Sequence, residues 1–333
     1  MRKCLSAVLA LVLILSLSGC SGSKQEAAGS EEEALVHFLT DLQNGDFEMA
    51  LTYLRPGNQL RRVLPAGAGQ ESVPEMDEIY RAFCDGLKDM TFTVTVDNTT
   101  SQFVEFLEVH AQQRDYDLAI RTAMAEALRS QCEEGGDAFS DMAGWMRQAI
   151  ADAAPGEAGD AHATMVGKSG DYTLDHRGYP DVAFLNLVTG GFYEYIDCSM
   201  TTCTMRKGGN RYTYYLAARG DEVVGYLTEI EESYNPADIP EEDRAAIQAY
   251  YAQQADALTG VYAGVHFGED KVTTVTGIDF NEASQTAMIN AGIVSGKYTG
   301  NTTNNYLSLR ATINGFKEDG MTCTTVPVYE EDS

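Results

Sequence analysis

Several absences narrow what this chain can do. Bases are scarce: 23 Lys and Arg stand against 50 Asp and Glu, a formal net charge of −27 at pH 7. No basic stripe for nucleic acid is present, and the overall field repels phosphate backbones, so nucleic acid is excluded as a partner. The leading apolar run, Leu5 to Leu17, is 13 residues long, short of the roughly 20 that a membrane-spanning helix needs. The five histidines, His37, His110, His162, His176 and His266, are scattered. None forms a helical pair around an acid, as zinc proteases require. Gly-x-Ser-x-Gly, phosphate-loop and dinucleotide patterns are also missing. From these absences the expectation is no catalytic residue, no metal and no cofactor.

The N-terminus, by contrast, carries a dense signal. Met1-Arg2-Lys3 is a short basic start, and the apolar run follows it directly. Then comes Leu17-Ser18-Gly19-Cys20, a lipobox. Small residues before the cysteine fit a lipoprotein signal peptidase, and the Cys20 thiol takes the lipid. Residues 1–19 read as a signal peptide cut before Cys20. A diacylglyceryl cysteine inserts at least two chains, each buried methylene contributing about 0.8 kcal/mol, which makes a stable anchor. The expected location is a cell membrane, lipid-anchored and facing outward, or an outer membrane or periplasm in a two-membrane cell. Membrane lipid, through Cys20, is the first expected partner.

Residues 20–33 are rich in Ser, Gly, Ala, Glu and Gln without apolar periodicity. They read as a flexible leash reaching about 20 Å in root-mean-square terms. Removing residues 1–19 takes away Arg2 and Lys3 and no acid, so the charge of −27 becomes −29. That charge keeps the exported body soluble and off an acidic membrane surface.

Beyond the leash, length favours two domains with a boundary near residue 200, taken as 31–197 and 198–329. In the first, Ala34, Leu35, Phe38, Leu39 and Leu42 fall at helical spacing until Asn44-Gly45. Asp46 caps a second short helix, and Met76, Ile79, Tyr80, Phe83 and Leu87 mark a third. Phe92, Val94 and Val96 alternate with threonines as a strand, and Phe103 to Ala111 offers its return. Tyr116 to Ala153 reads as helix broken at Gly135-Gly136, with short strands near His162–Lys168 and Tyr172–Asp175. This order resembles the nuclear transport factor 2-like fold, in its extracellular lipoprotein version. The resemblance rests on "EEEALVHFLTDLQNGDFEMALTYL" at the start, and on Asp171 to Asp175 with "FLNLVTGGFYEYI" at the end. It implies a cone-shaped, curved antiparallel sheet wrapped around helices. That family often has Trp at the position of Tyr172.

The second half reads as α+β. Arg211 to Ala218 and Glu222 to Ser233 form a hairpin around Arg219-Gly220-Asp221. A helix over Glu241 to Leu258 offers Ala246, Ile247, Tyr250, Tyr251 and Leu258 as a buried stripe, and Val261 to Phe267 with Lys271 to Phe280 form another hairpin. "GDEVVGYLTEIEESY" and "GEDKVTTVTGIDFNEA" both read acidic turn, alternating strand, acidic exit, which implies a duplicated strand-strand-helix unit. The stretch resembles the YehR-type lipoproteins. The resemblance runs from "TCTMRKGGNRYTYYLAARGDEVVGYLTEI" through "YAGVHFGEDKVTTVTGIDF" to "LRATINGFKEDGMTCT".

With Cys4 removed and Cys20 lipidated, Cys84, Cys132, Cys198, Cys203 and Cys323 remain. Cys203 and Cys323, each between threonines near the two ends of the second domain, are the favoured disulfide. The alternative pairs Cys198 with Cys203 across a very short loop. Cys84 and Cys132 fall on helices as buried free thiols, with a bridge between the two as the alternative. Tyr172, Asp175 and His176 make the one short phenol–acid–base cluster, though Asp175 would face away from the other two. Asn98-Thr99-Thr100 and Asn301-Thr302-Thr303 match glycosylation acceptors by chance. Tyr212 and Tyr214 alternate as ordinary strand packing. The function this composition favours is a non-enzymatic binding or interaction module for an envelope protein, a peptide or a small molecule. Its alternatives are a weak acid–base enzyme in a first-domain cavity, and a spacer or sensor for a neighbouring membrane protein.

Overall fold

The computed structural model describes residues 28–56, 58–64, 74–97, 106–168, 170–174, 180–235, 238–284 and 306–327. Leu17, Ser18, Gly19, Cys20, Asp175 and His176 lie outside them. Among the described residues the protein is α+β, with eight α-helices and three antiparallel sheets.

Helix α1 (Glu31–Asn44) starts where Ser30 Oγ accepts the Glu33 N–H, and three glutamates in its first turn complement the helix dipole. Its apolar positions are buried, and Gly45, at φ 73°, ends it. Asp46 caps α2 (Phe47–Thr52), and α3 (Pro74–Gly86) leads into β1 (Thr91–Asp97). Strand β2 (Phe106–Gln112) returns against β1, and β3 (Gly159–Ala163) completes a three-stranded sheet. Between them run α4 (Tyr116–Glu134) and α5 (Met142–Asp152), separated at Gly135 and Gly136, both at positive φ. Strands β4 (Met165–Lys168) and β5 (Asp171–Leu174) form a separate pair before α6 (Pro180–Thr189). Phe83, Tyr116 and Phe192 close this core, with the Phe83 and Phe192 rings stacked at 4.3 Å.

The second part is a six-stranded sheet in the order β11-β6-β7-β8-β10-β9. Its strands are β6 (Cys198–Lys207), β7 (Asn210–Arg219), β8 (Glu222–Ser233), β9 (Val261–Phe267), β10 (Lys271–Asp279) and β11 (Thr322–Pro327). Helix α7 (Glu241–Asp256) follows β8, and α8 (Leu309–Glu318) precedes β11. One face buries Leu216, Val223 and Ile278 under α8, whose Phe316 ring lies 4.6 Å from Tyr214.

The other face meets the first part. The hydrophobic core of residues 28–196 continues without a break into Met200, Ala217, Leu227 and Val275. Helix α4 makes that junction, and glycines determine how closely it approaches. A Cβ on Gly225 of β8 would sit 3.0 Å from Met124 Sδ and the Phe139 ring. One on Gly277 of β10 would sit 3.0 Å from Cys132 Sγ, and one on Gly264 of β9 only 1.7 Å from the Cys132 carbonyl oxygen. Three adjacent strands thus lack side chains where the helix crosses them. The boundary expected at 197/198 coincides with the start of β6, and packing runs across it.

One expected burial fails. Helix α7 forms, but Ala246 is exposed and Tyr250 is 58% exposed. The helix flanks the edge strand β9 rather than lying over a sheet face. Ala255 is buried, and the helix is also held by Gln248 Nε2, which donates to the Val265 carbonyl, and by Arg244 over Phe267.

Candidate functional site

Helix α4 covers only part of its sheet face, and the strand register shows which part stays open. Residues directly opposite one another on neighbouring strands share a face. One row crosses five strands as Arg206, Arg211, Glu231, Thr273 and His266. The next crosses six as Thr322, Thr204, Thr213, Glu229, Val275 and Gly264. The third, Thr324, Thr202, Tyr215, Leu227, Gly277 and Tyr262, already runs under α4 at Gly277. The first two rows therefore form a polar half-face, and the end of α4 walls it.

A cleft of about 450 Å³ lies there, between Glu134-Gly135-Gly136 and the side chains of Arg211, Tyr215, Glu229 and His266. Buried Gln131 organises its floor. Its Nε2 donates to Glu229 Oε1 at 2.7 Å, while its Oε1 accepts the Phe139 N–H at 2.8 Å. Both ends of a buried amide are thereby satisfied, and one end positions a sheet carboxylate. Tyr215 Oη donates to the other Glu229 oxygen at 3.5 Å. Burial first, and Glu229 second, push the Tyr215 phenol above its ordinary value of 10.0. His266 Nε2 donates to the Cys132 carbonyl at 3.0 Å, which satisfies one backbone acceptor at the open end of α4. Away from the cleft, at the far end of β10, burial raises the Asp279 carboxyl above its ordinary 3.8, although the Asn281 amides partly offset the shift.

Chemically, the cleft mixes fixed acceptors, a phenol, hydroxyls and one exposed guanidinium. Its imidazole and its central carboxylate are both engaged in holding the walls. Such a surface selects polar ligands through directional hydrogen bonds.

The suspected site residues fall as follows. Cys203 and Cys323 are directly opposed on β6 and β11, and the structure joins them in a disulfide. Cys198 is a free, buried thiol, as are Cys84 and Cys132. Burial pushes all three up to about 12, so they stay protonated and inert at neutral pH. Tyr172 is half-buried on β5 opposite Gly167 and packs against the core. Asp175 and His176 are outside the described residues, so the phenol–acid–base cluster has no geometry to report. Tyr214 packs in the core below α8, as alternation indicates, whereas Tyr215 turns to the cleft. Sequence reasoning missed Arg206, Glu229 and His266. The signal was present in the charged and hydroxylated residues spaced by two along β7 and β8, but only strand order brings them together.

Comparison with known proteins gives distant likenesses. The chain is similar to the NMR structure of the E. coli YehR protein at 15% identity. That match covers 38% of this chain and 89% of that one, with a TM-score of 0.31. It is also similar to the NMR structure of a protein from Streptococcus pneumoniae TIGR4, at 10% identity, 38% and 85% coverage, and a TM-score of 0.28. No family model matches the chain, and no curated protein matches it. Both structural likenesses are too distant to assign a fold family or a function.

Proposed function

We propose that this protein is a lipid-anchored, outward-facing lipoprotein that acts as a non-enzymatic binding module. Its ligand site is the open half of the six-stranded sheet. The observation that carries this reading is the cleft of about 450 Å³ whose polar side chains converge from separate strands and the end of α4. Glu229, fixed by Gln131, is its organising acceptor. Melting the full chain with envelope sugars, peptides and anions tests it. A ligand held at a hundred times its Kd stabilises by about 2.7 kcal/mol and raises the melting midpoint. Glu229→Gln is expected to shrink that rise. If no component of a broad set moves the midpoint, the binding reading is lost.

The anchor is tested separately at Cys20. Cys20→Ser is expected to abolish fatty-acyl labelling and move the protein from the membrane to the soluble fraction. A variant that stays labelled and membrane-bound contradicts the anchor.

Within this reading, residues 31–197 are a nuclear transport factor 2-like unit and residues 198–329 a YehR-type unit. The helix-then-strand order of the first supports the former. For the latter, support comes from the paired hairpins β7-β8 and β9-β10, whose second strands adjoin. A duplicated strand-strand-helix unit accounts for that arrangement.

A further inference from the structure

The row that opens the polar half-face begins with an anomaly. Arg206 and Arg211 are directly opposed across the β6–β7 hairpin, and Lys207 is adjacent. Like charges placed opposite one another destabilise a strand pair. Moreover, this happens in a chain with more than two acids for each base. Six other bases, Arg62, Arg114, Arg121, Arg147, Arg219 and Lys271, each lie against a carboxylate, while Arg55, Arg61 and Arg129 lie against a hydroxyl, backbone carbonyls and an aromatic ring. Among the described residues, Arg206, Lys207 and Arg211 have no such partner.

The nearby acids are turned to other tasks. Glu231, opposite Arg211, holds Lys271 Nζ at 2.9 Å. Glu232 accepts from Asn210 Nδ2, and Glu229 is held by Gln131. Asp319 is the one carboxylate lining the groove of about 670 Å³ beside the three bases. Thr204 and Thr322, opposed on β6 and β11, add hydroxyls to that groove. Strand β11 stops at Thr322 opposite Thr204, so among the described residues no strand pairs the outer edge of Met205–Lys207.

We infer that Arg206 and Arg211, with Thr204 and Thr322 on the same face and Lys207 at the strand edge beside them, form a binding site for a phosphate group. Two guanidinium forks present paired N–H donors, each matched to two oxygens of one anion. With the ammonium and two hydroxyls, the donors exceed what a single carboxylate can accept and suit the oxygens of a phosphate. The distant negative charge of the chain is screened beyond about 8 Å at physiological salt, so these bases dominate locally. The phosphate can come from a free anion or from a lipid headgroup, and the chemistry of the site is the same for both. This inference rests on reading the open half-face as the binding surface.

The test uses the full chain with Cys20→Ser, so that an anchor does not contribute to vesicle binding. Inorganic phosphate is titrated in one arm, and phosphatidylglycerol vesicles are compared with phosphatidylcholine vesicles in the other. Binding in either arm, weakening as salt is raised, is expected. The Arg206→Gln/Arg211→Gln variant should lose at least about tenfold in affinity while its melting midpoint stays level or rises, because a repulsion has been removed. Phosphate alone points to a free anion, and vesicles alone to a headgroup. Undiminished binding by the double variant, or no binding in either arm, overturns the site. If phosphate and vesicles fail to bind while a different envelope component binds and is lost in Glu229→Gln but not in the arginine variant, the phosphate site is overturned and the half-face reading stands.

Discussion

Replacing Gly264 with alanine is expected to destabilise the protein by about 3 kcal/mol, a large core penalty for one methyl group. The added carbon would lie 1.7 Å from the Cys132 carbonyl oxygen. That neighbour is backbone at the end of α4, so no rotamer change relieves the clash. Either the helix end lifts or β9 moves. The same change at Gly277 meets Cys132 Sγ at 3.0 Å and Leu128 Cδ2 at 3.2 Å, which are side-chain ends able to shift. Gly277→Ala should therefore cost about 1 kcal/mol, the low end of overpacking penalties. Denaturant midpoints of the two variants measure the difference. Equal midpoints for Gly264→Ala and the parent would mean that α4 does not sit on the sheet this closely. Because the cleft wall is the end of the same helix, Gly264→Ala should also weaken any ligand held by Glu229.

Breaking the Cys203–Cys323 bond should cost about 4–5 kcal/mol on the chain-entropy estimate for so long a loop. Its ends are 120 residues apart, so it restricts much of the unfolded second half. Against a usual stability of about 5–15 kcal/mol, the loss is severe. The bond also fixes the edge strand β11 to β6, and with it α8 over Leu216 and Tyr214. Cys203 is fully buried and Cys323 only partly, so reductant reaches the bond from the Cys323 side. The measurement is the denaturant midpoint of Cys203→Ala/Cys323→Ala against the oxidised parent, with peptide mapping of the native pairing. Coincident midpoints, or a mapped bond to Cys198, would contradict the prediction. Exchange with Cys84, Cys132 or Cys198 is disfavoured, because burial pushes each thiol up to about 12.

Much of the fold was legible because local signals were strong. Ser30, Asp46 and Asp115 cap helices as their chemistry dictates, and Gly45 and Gly135 end two of them. The alternation in β1, β7 and β8 was equally plain. Strands β6 and β11 were not anticipated as strands, for they are threonine-rich and gain their state from pairing with β7 and with each other. The apolar-looking stripe of α7 misled because periodicity reports a face without saying whether anything covers it. Seating at Gly225, Gly264 and Gly277 was invisible for a different reason. A glycine inside a strand reads as weakness until the element that approaches it is known. The candidate site was least legible of all, since Arg211, Glu229 and His266 converge only through strand order. Of the chemistry read from the sequence, the Cys203–Cys323 pair has a described geometry, while Cys20 lies outside the described residues.

Helix α4 joins the two sequence halves into one core and walls the cleft. Trp145, the single tryptophan, lies on α5, and its Nε1 donates to the Phe139 carbonyl, so its fluorescence reports on that junction. The most direct measurement is denaturant unfolding of the full chain, followed by Trp145 fluorescence and by hydrogen exchange at β8 and β10. One shared midpoint is the predicted result. If the sheet amides keep their protection after the tryptophan signal is lost, the halves fold separately and the shared cleft is refuted.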